Sequence, residues 1–371
     1  MGRRLVDPST LSAPLVDSFS LPAYDSHLGP ARVDPATIRS NKILIEEPAI
    51  LVSRLNPHIP RVLSGFPRDV PAVASTEFSV LLPREVNPGY LLAFLSSPGF
   101  RRDMRALVTG TSTSHQRVRG DSLLDIRMPL ADERSQAAIG DLVQAVEQRQ
   151  RIERVATARS RRLLAALFRA SFPGVFEPRA PLGDYVNVTP GVSYKSSDFG
   201  GHDQALVTLK NIARDGTYRP EGLKAWAGVA KPGQVVVPGE VVVAHTDLTQ
   251  AGDIIGRAIP VRASANFARL VASMDLSVVR PREPLTPAFL VGLMEQPEYL
   301  AHCRARASGT TVLHLGRRAV EEFRMTVPEA RYILEFTAAA KDLLALRAAS
   351  ELECSALGRV AAASVVAQFG S

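Results

Sequence analysis

The sequence predicts an α+β protein made of two repeated α/β bodies, each followed by a long helix. Three observations predict it. One half of the chain matches the other in collinear order, two long stretches contain no proline, and the remainder is built of short apolar runs bounded by Pro and Gly. At 371 residues the chain can hold two domains with proper cores, and a hydrophobic fraction of 46% marks globular material.

The repeat is read from paired positions. Pro98 and Pro297, Gly110 and Gly309, His115 and His314, and Pro129 and Pro328 all lie 199 residues apart, so this block reads as ungapped. Leu91 and Leu290, Arg105 and Arg304, Thr111 and Thr310, and Arg119 and Arg318 agree at the same offset. Upstream, Ser75–Val80 matches Ser273–Val278 at an offset of 198, and Pro48–Val52 matches Pro238–Val242 at 190.

Each copy ends in a helix-forming stretch. The first runs from about Asp132 to Arg169, with Gly140 its single glycine, and places Ile139, Leu142, Val143, Val146, Ile152, Val155, Leu164 and Leu167 at mostly helical spacing. At about 1.5 Å per residue it makes a rod of roughly 57 Å. The second runs from about Glu329 to Val366 with Ile333, Phe336, Ala340, Leu343, Leu344, Leu357, Val360 and Val365. Neither is apolar all round, so each needs a partner, and the other helix is the obvious one. The runs Ala49–Val52, Phe78–Leu82, Val235–Val237, Val241–Ala244 and Leu276–Val279 read as strands. The resulting layout is a body over 1–130, a helix over 131–172, a second body over 173–328 and a second helix over 329–371.

A net charge of +7 favours an anionic partner. Cys303 and Cys354 are too few for a disulfide framework and fit a reducing compartment. No apolar run suits a signal peptide or a membrane span, so the expectation is a cytoplasmic protein with no membrane association. There is no phosphate loop, dinucleotide fingerprint, HExxH or GxSxG motif, and the seven histidines form no pair at metal-ligand spacing. No catalytic residue, metal or cofactor is therefore expected.

What remains are polar clusters suited to DNA. Thr111, Ser112, Ser114 and His115, and in the second copy Thr310, Thr311 and His314, read as loops entering a helix, where hydroxyls cap N–H groups and the helix start attracts phosphate. Arg117 and Arg119 follow in the first copy, Arg317 and Arg318 in the second. Arg54, Asn56, His58 and Arg61 follow a strand in the first body. Tyr194, Lys195 and Ser196, then Lys210 and Asn211, then His245 and Thr246 are similarly placed in the second. Arg suits guanine and Asn adenine in the major groove. Two other classes compete: a coiled-coil adaptor that binds only proteins, and a stand-alone DNA-modifying enzyme.

Gly110-Thr111-Ser112 leads to Ile126-Arg127-Met128-Pro129 ahead of the first helix, and Gly309-Thr310-Thr311 to Met325-Thr326-Val327-Pro328 ahead of the second. The second body opens with Leu182-Gly183-Asp184-Tyr185-Val186, then Gly191-Val192-Ser193-Tyr194-Lys195-Ser196, Leu206–Ile212 and Asp215-Gly216. In this order these pieces resemble the specificity subunits of type I restriction–modification systems across nearly the whole chain. The resemblance implies a pseudo-twofold molecule, with two target recognition domains separated by two long antiparallel, coiled-coil-like helices. It also implies that each domain reads half of a bipartite site in double-stranded DNA. Its implied partners are two methyltransferase subunits, which flip and methylate adenines, and the restriction–translocase subunits. Asp132-Glu133-Arg134 matches the family's helix opening in part, and Glu329-Ala330-Arg331 less well. Aligning Pro48 with Pro238 puts the partner of Leu182 before residue 1, so the first domain is expected to lack its opening strand.

Overall fold

The computed structural model describes residues 2, 4–27, 29–59, 61–67, 69–108, 116–248, 252–310, 312–316 and 318–370. The chain forms two compact units, Met1–Arg149 with Leu357–Ser371, and Gln150–Ala356.

In the first unit the elements are β1 (Leu5–Val6), β2 (Val16–Phe19), α1 (Leu21–His27), β3 (Ala31–Val33), β4 (Lys42–Ile45), β5 (Ala49–Ser53), β6 (Val62–Gly65), β7 (Ala72–Ala74), β8 (Phe78–Leu81), α2 (Pro88–Leu95), α3 (Pro98–Ala106) and the start of α4 (Glu133–Ser171). One sheet has the order β1-β4-β7-β2-β3 and the other β6-β5-β8. Every residue of β5 is buried, so it reads as a continuous apolar run with no alternation. Helices α2 and α3 start where Asn87 and Ser97 cap their first N–H groups and a proline takes the first helical position.

In the second unit the elements are β9 (Ala180–Pro181), β10 (Val186–Pro190), β11 (Gln204–Val207), β12 (Lys224–Ala225), β13 (Val235–Val236), β14 (Val241–Ala244), β15 (Thr246–Asp247), β16 (Ala258–Pro260), β17 (Arg269–Ala272), β18 (Leu276–Pro281), α5 (Pro287–Met294), α6 (Pro297–Ala305), β19 (Ala307–Ser308), β20 (Leu313–Leu315), β21 (Arg324–Met325) and α7 (Ala330–Phe369). Its main sheets run β10-β18-β14-β16 and β12-β11-β17-β13, with smaller sheets β15-β20-β19 and β21-β9.

The repeat holds in the central strands of both main sheets, while β1 and β10 have no strand counterpart among the described residues. The parallel pair β2·β7 corresponds to β11·β17, and the antiparallel pair β5·β8 to β14·β18. The registers correct two details of the sequence alignment. Leu51 faces Val80 as Val242 faces Val278, so this strand is offset by 191 residues and not 190. Beyond the Gly-Thr loop the offset drops from 199 to 197. Val118 donates its N–H to the Arg54 carbonyl as Leu315 does to that of His245, while Arg54 and His245 donate to Glu77 and Asp275. The match of Pro129 with Pro328 is therefore an identity without structural equivalence. The two units also differ at one sheet edge. β10 covers β18 over five residues, whereas among the described residues β8 keeps on that side only a bridge from Gly2 to Val80.

The long helices occupy the stretches expected of them, and both contribute to each unit. In the first unit Val143 of α4 and Val365 of α7 share a core with Ile50, Leu92, Phe94 and Phe100. In the second the helices run antiparallel, with Phe168 against Phe336 at one end and Gln150 Nε2 donating to the Cys354 carbonyl at the other. Phe168, Phe172, Phe289 and Phe336 meet edge to face at 5.0–5.5 Å, which fixes both helices on α5. The expected apolar seam is corrected in its middle. Ile152 and Val155 are exposed, while Glu153, Thr157, Ser160, Arg347, Ser350 and Glu351 are buried. Two of these, Arg347 and Glu351, are held in an ion cluster: Arg347 pairs with Glu295 and Glu351, Arg262 with Glu351, and Arg161 with Glu295. Glu351 also accepts the Tyr218 N–H, and Arg347 donates to the Gly216 carbonyl.

Candidate nucleic-acid interface

The sheet β15-β20-β19 gathers several of the expected site residues. Thr246 pairs with His314, and His314 pairs with Ser308, so the three form one row across the strands. Alternation sends the neighbouring Leu313, Leu315 and Ala307 to the opposite face, where they join the core of the second unit. His314 and Ser308 are exposed, whereas Thr246 is buried beside them.

This overturns the reading of the segment as a loop entering a helix: it is a β-hairpin. Gly309 turns the chain at φ +122°, and a Cβ there would sit 2.0 Å from the Val312 carbonyl oxygen. Thr310 is exposed in that turn, and Arg318 is exposed just beyond β20. The phosphate-binding helix start expected behind Thr310 and His314 is therefore absent from this described stretch. Thr311 and Arg317 lie outside the described residues, as do Thr111, Ser112, Ser114 and His115.

His245 anchors the ribbon through its backbone. Burial pushes its imidazole below the ordinary histidine range, and its Nε2 finds no hydrogen-bond partner among the described residues.

The first unit builds the same crossing. Leu55 bridges Arg117, and Asn56 donates its N–H to the Gln116 carbonyl. Two clusters far apart in sequence, Arg54–Arg61 and Arg117–Arg119, thus meet. Arg54 hydrogen-bonds the Thr76 carbonyl, and Arg117 pairs with Glu77 at 2.6 Å. Asn56 turns the chain at φ +52°, a conformation its short polar side chain tolerates. His58 and Arg119 are exposed, whereas Arg61 is buried. Beneath this loop a cavity of about 10 Å³, lined in part by Val52, Pro57, Phe100 and Met104, has room for about one water.

The remaining candidates of the second unit separate. Lys195 and Ser196 are exposed, and Tyr194 packs on Phe199 at 5.2 Å between ring centroids. Burial raises the Tyr194 phenol, with Asp275 adding to the effect, and Asp275 is also the residue whose carbonyl takes the His245 N–H. Lys224, not anticipated from the sequence, lies 3.1 Å over the Phe199 ring. Lys210 is exposed. Asn211 is buried, accepting the Thr208 N–H and donating to the Arg219 carbonyl. Its amide is used to close a turn, which removes it from the surface candidates. Ser308 was also missed; the alternation in Leu313-His314-Leu315 is the signal that could have found it.

Among the described residues no group of three His, Cys, Asp or Glu side chains could hold a metal, and no helix is long and apolar enough to cross a membrane. Cys303 is buried, which pushes its thiol up to about 11 and disfavours the thiolate.

No family model matches the chain, and no curated protein matches it. Solved structures do. The type I restriction–modification system S subunit from M. genitalium matches with a TM-score of 0.51 and 13% identity, over 99% of this chain and 94% of that one. The HsdS subunit from Thermoanaerobacter tengcongensis gives 0.33 and 17%, over 100% and 97%. A chain solved in connection with complex assembly and conformational transition of the type I restriction–modification system gives 0.37 and 16%, over 99% and 97%. The first of these likenesses establishes the fold: two repeated α/β bodies with two long antiparallel helices, as in a type I S subunit.

Proposed function

We propose that this chain is the DNA-specificity subunit of a type I restriction–modification complex, with no catalytic chemistry of its own. Its recognition domains span 1–130 and 173–328 and its spacer helices 131–172 and 329–371. Each domain reads one half of a bipartite site in double-stranded DNA, and methyltransferase and restriction subunits supply the reactions. One observation carries the reading. On the fold of an S subunit, two equivalent strand crossings each carry an exposed polar side chain, Arg117 in one and His314 in the other. Protein partners are supported by apolar side chains left exposed on the helices of the second unit, among them Ile152, Val155, Leu163, Leu346 and Leu352.

The test compares methylomes of cells with and without the chain. A bipartite adenine-methylation motif that vanishes with the chain is expected; an unchanged methylome overturns the reading. The purified chain with a methyl donor should be inert. Its complex with the methyltransferase subunits should bind duplex DNA with a steep salt dependence, whereas a protein-only adaptor would show none.

A further inference from the structure

We propose that the cross-strand pair Ser308–His314 reads a base of one half-site, and that Arg117 does so at the equivalent place in the other, on a guanine. The inference rests on the reading of the chain as a DNA-specificity subunit and names the residues that set its sequence preference.

The geometry points to these side chains for three reasons. The register makes them equivalent, since Leu55 faces Arg117 as Thr246 faces His314, and the flanking backbone bonds correspond. The pair is also aimed by its surroundings. Leu313 and Leu315 are held in the core on the reverse face, so His314 can only project outward, and Ser308 lies directly across from it. The hairpin β19–β20, which carries Ser308 and His314, is a two-stranded ribbon of the width the major groove admits, where imidazole and hydroxyl groups can donate to or accept from base edges.

Arg117 supplies the third reason. In the free protein its guanidinium pairs with the Glu77 carboxylate at 2.6 Å, and the Arg117 side chain remains well exposed. A carboxylate offers two acceptors to the guanidinium fork, and the O6 and N7 edge of guanine offers the same pattern. Glu77 thus holds the arginine extended at the surface until DNA replaces it. An exposed ion pair of this kind costs little to exchange.

The experiment uses the complex of the full chain with its methyltransferase subunits. Duplexes are selected from libraries of the wild-type site with one half randomised at a time. Arg117→Ala should lose about ten- to a hundredfold preference at a single guanine of one half-site and leave the other half intact. His314→Ala should do the same at one position of the opposite half. Arg117→Lys keeps the charge but not the fork, so it should lose the guanine preference while retaining the salt dependence of binding. Unchanged motifs, both variants altering the same half, or a variant that selects no sequence at all would each overturn the proposal, since a residue that reads one base does not carry all the binding. If the wild-type complex itself returns no bipartite site, the functional reading fails before these residues are tested.

Discussion

The two units share the central strand order, β4-β7-β2-β3 with β13-β17-β11-β12, and each holds a helix end against a body, but they fasten it with different chemistry. In the first unit Asn87 caps α2 and accepts α4 at very close range. A Cβ on Gly140 would lie 2.1 Å from the Asn87 Oδ1, and the buried Gln136 accepts the Asn87 N–H. At the equivalent positions of the second unit stand Thr286, Thr337 and Ile333, and the contact there is a hydroxyl pair at 2.7 Å over an apolar floor. The second unit adds the buried ion cluster of Arg161, Arg262, Glu295, Arg347 and Glu351. Ser96, Gln150, Arg154 and Gly358 occupy the places equivalent to Glu295, Arg347, Glu351 and Arg161. Backbone register thus persists between the copies while the side-chain solution at the helix contact does not.

The largest expected effect tests the ion cluster. Glu351→Ala leaves Arg347 and Arg262 buried without their shared carboxylate and should cost about 3–5 kcal/mol in urea unfolding of the second unit. Ser96→Ala, at an exposed position, should change stability by less than about 0.5 kcal/mol. Replacing Arg262 and Arg347 by Met and Glu351 by Leu together leaves Glu295 paired with Arg161 and should recover most of the loss. If the single substitution is neutral, the cluster does not distinguish the two units.

Gly140→Ala comes next. Its steric cost, about 1–3 kcal/mol for overpacking, exceeds the roughly 1 kcal/mol of helix propensity it gains, and it disturbs the Asn87 cap as well. A net loss of about 2 kcal/mol is expected in the first unit. Thr337→Ala, at the corresponding site, loses the bond with Thr286 and the one to the Ile333 carbonyl but gains helix propensity, and should cost only about 1 kcal/mol. Equal losses would mean that the close approach of α4 is not special to the first unit.

The smallest effect is one of pH. Burial lowers the imidazoles of His245 and His302, both in the second unit. Below the ordinary histidine value near 6.5 the unfolded chain binds protons that the folded unit resists, so stability is full above that pH and is lost as pH falls through it. The thermal midpoint should fall by about 2–4 °C per kcal/mol lost between pH 7.5 and 5.5. His245→Asn with His302→Asn should flatten the slope, and an unchanged slope would show that other groups govern it.

Much of the architecture is legible in the sequence because long periodic stretches and collinear matches report helices and repeats directly. The failures have physical causes. Hydroxyls after a glycine suit a helix cap and a hairpin turn equally, so Gly309-Thr310-Thr311 pointed to the wrong element. Identities such as Pro129 and Pro328 lie beyond a loop whose length differs between the copies, and only the hydrogen-bond register reveals the shift of two. Ile152 and Val155 suggested an apolar seam, yet buried places went to Arg347 and Glu351, because the partners that satisfy them, Glu295 and Arg262, are remote in sequence. Of the candidate site, the crossing of Arg54–Asn56 with Arg117 could not be read from spacing, since a strand pairing joins them.

The division of α7 has a consequence for biosynthesis. The first unit is not finished when residue 149 has been made, because Val365 packs in its core and Phe369 stacks on Tyr90 and Phe94 at 5.1 and 5.4 Å. The whole second unit is translated in between, which takes on the order of 10–40 s at typical elongation rates. During that interval Tyr90, Phe94 and Val143 lack the α7 side chains that cover them in the folded unit. The second unit, continuous from Gln150 to Ala356, can close as soon as it leaves the ribosome. The part of the chain made first is therefore the part completed last.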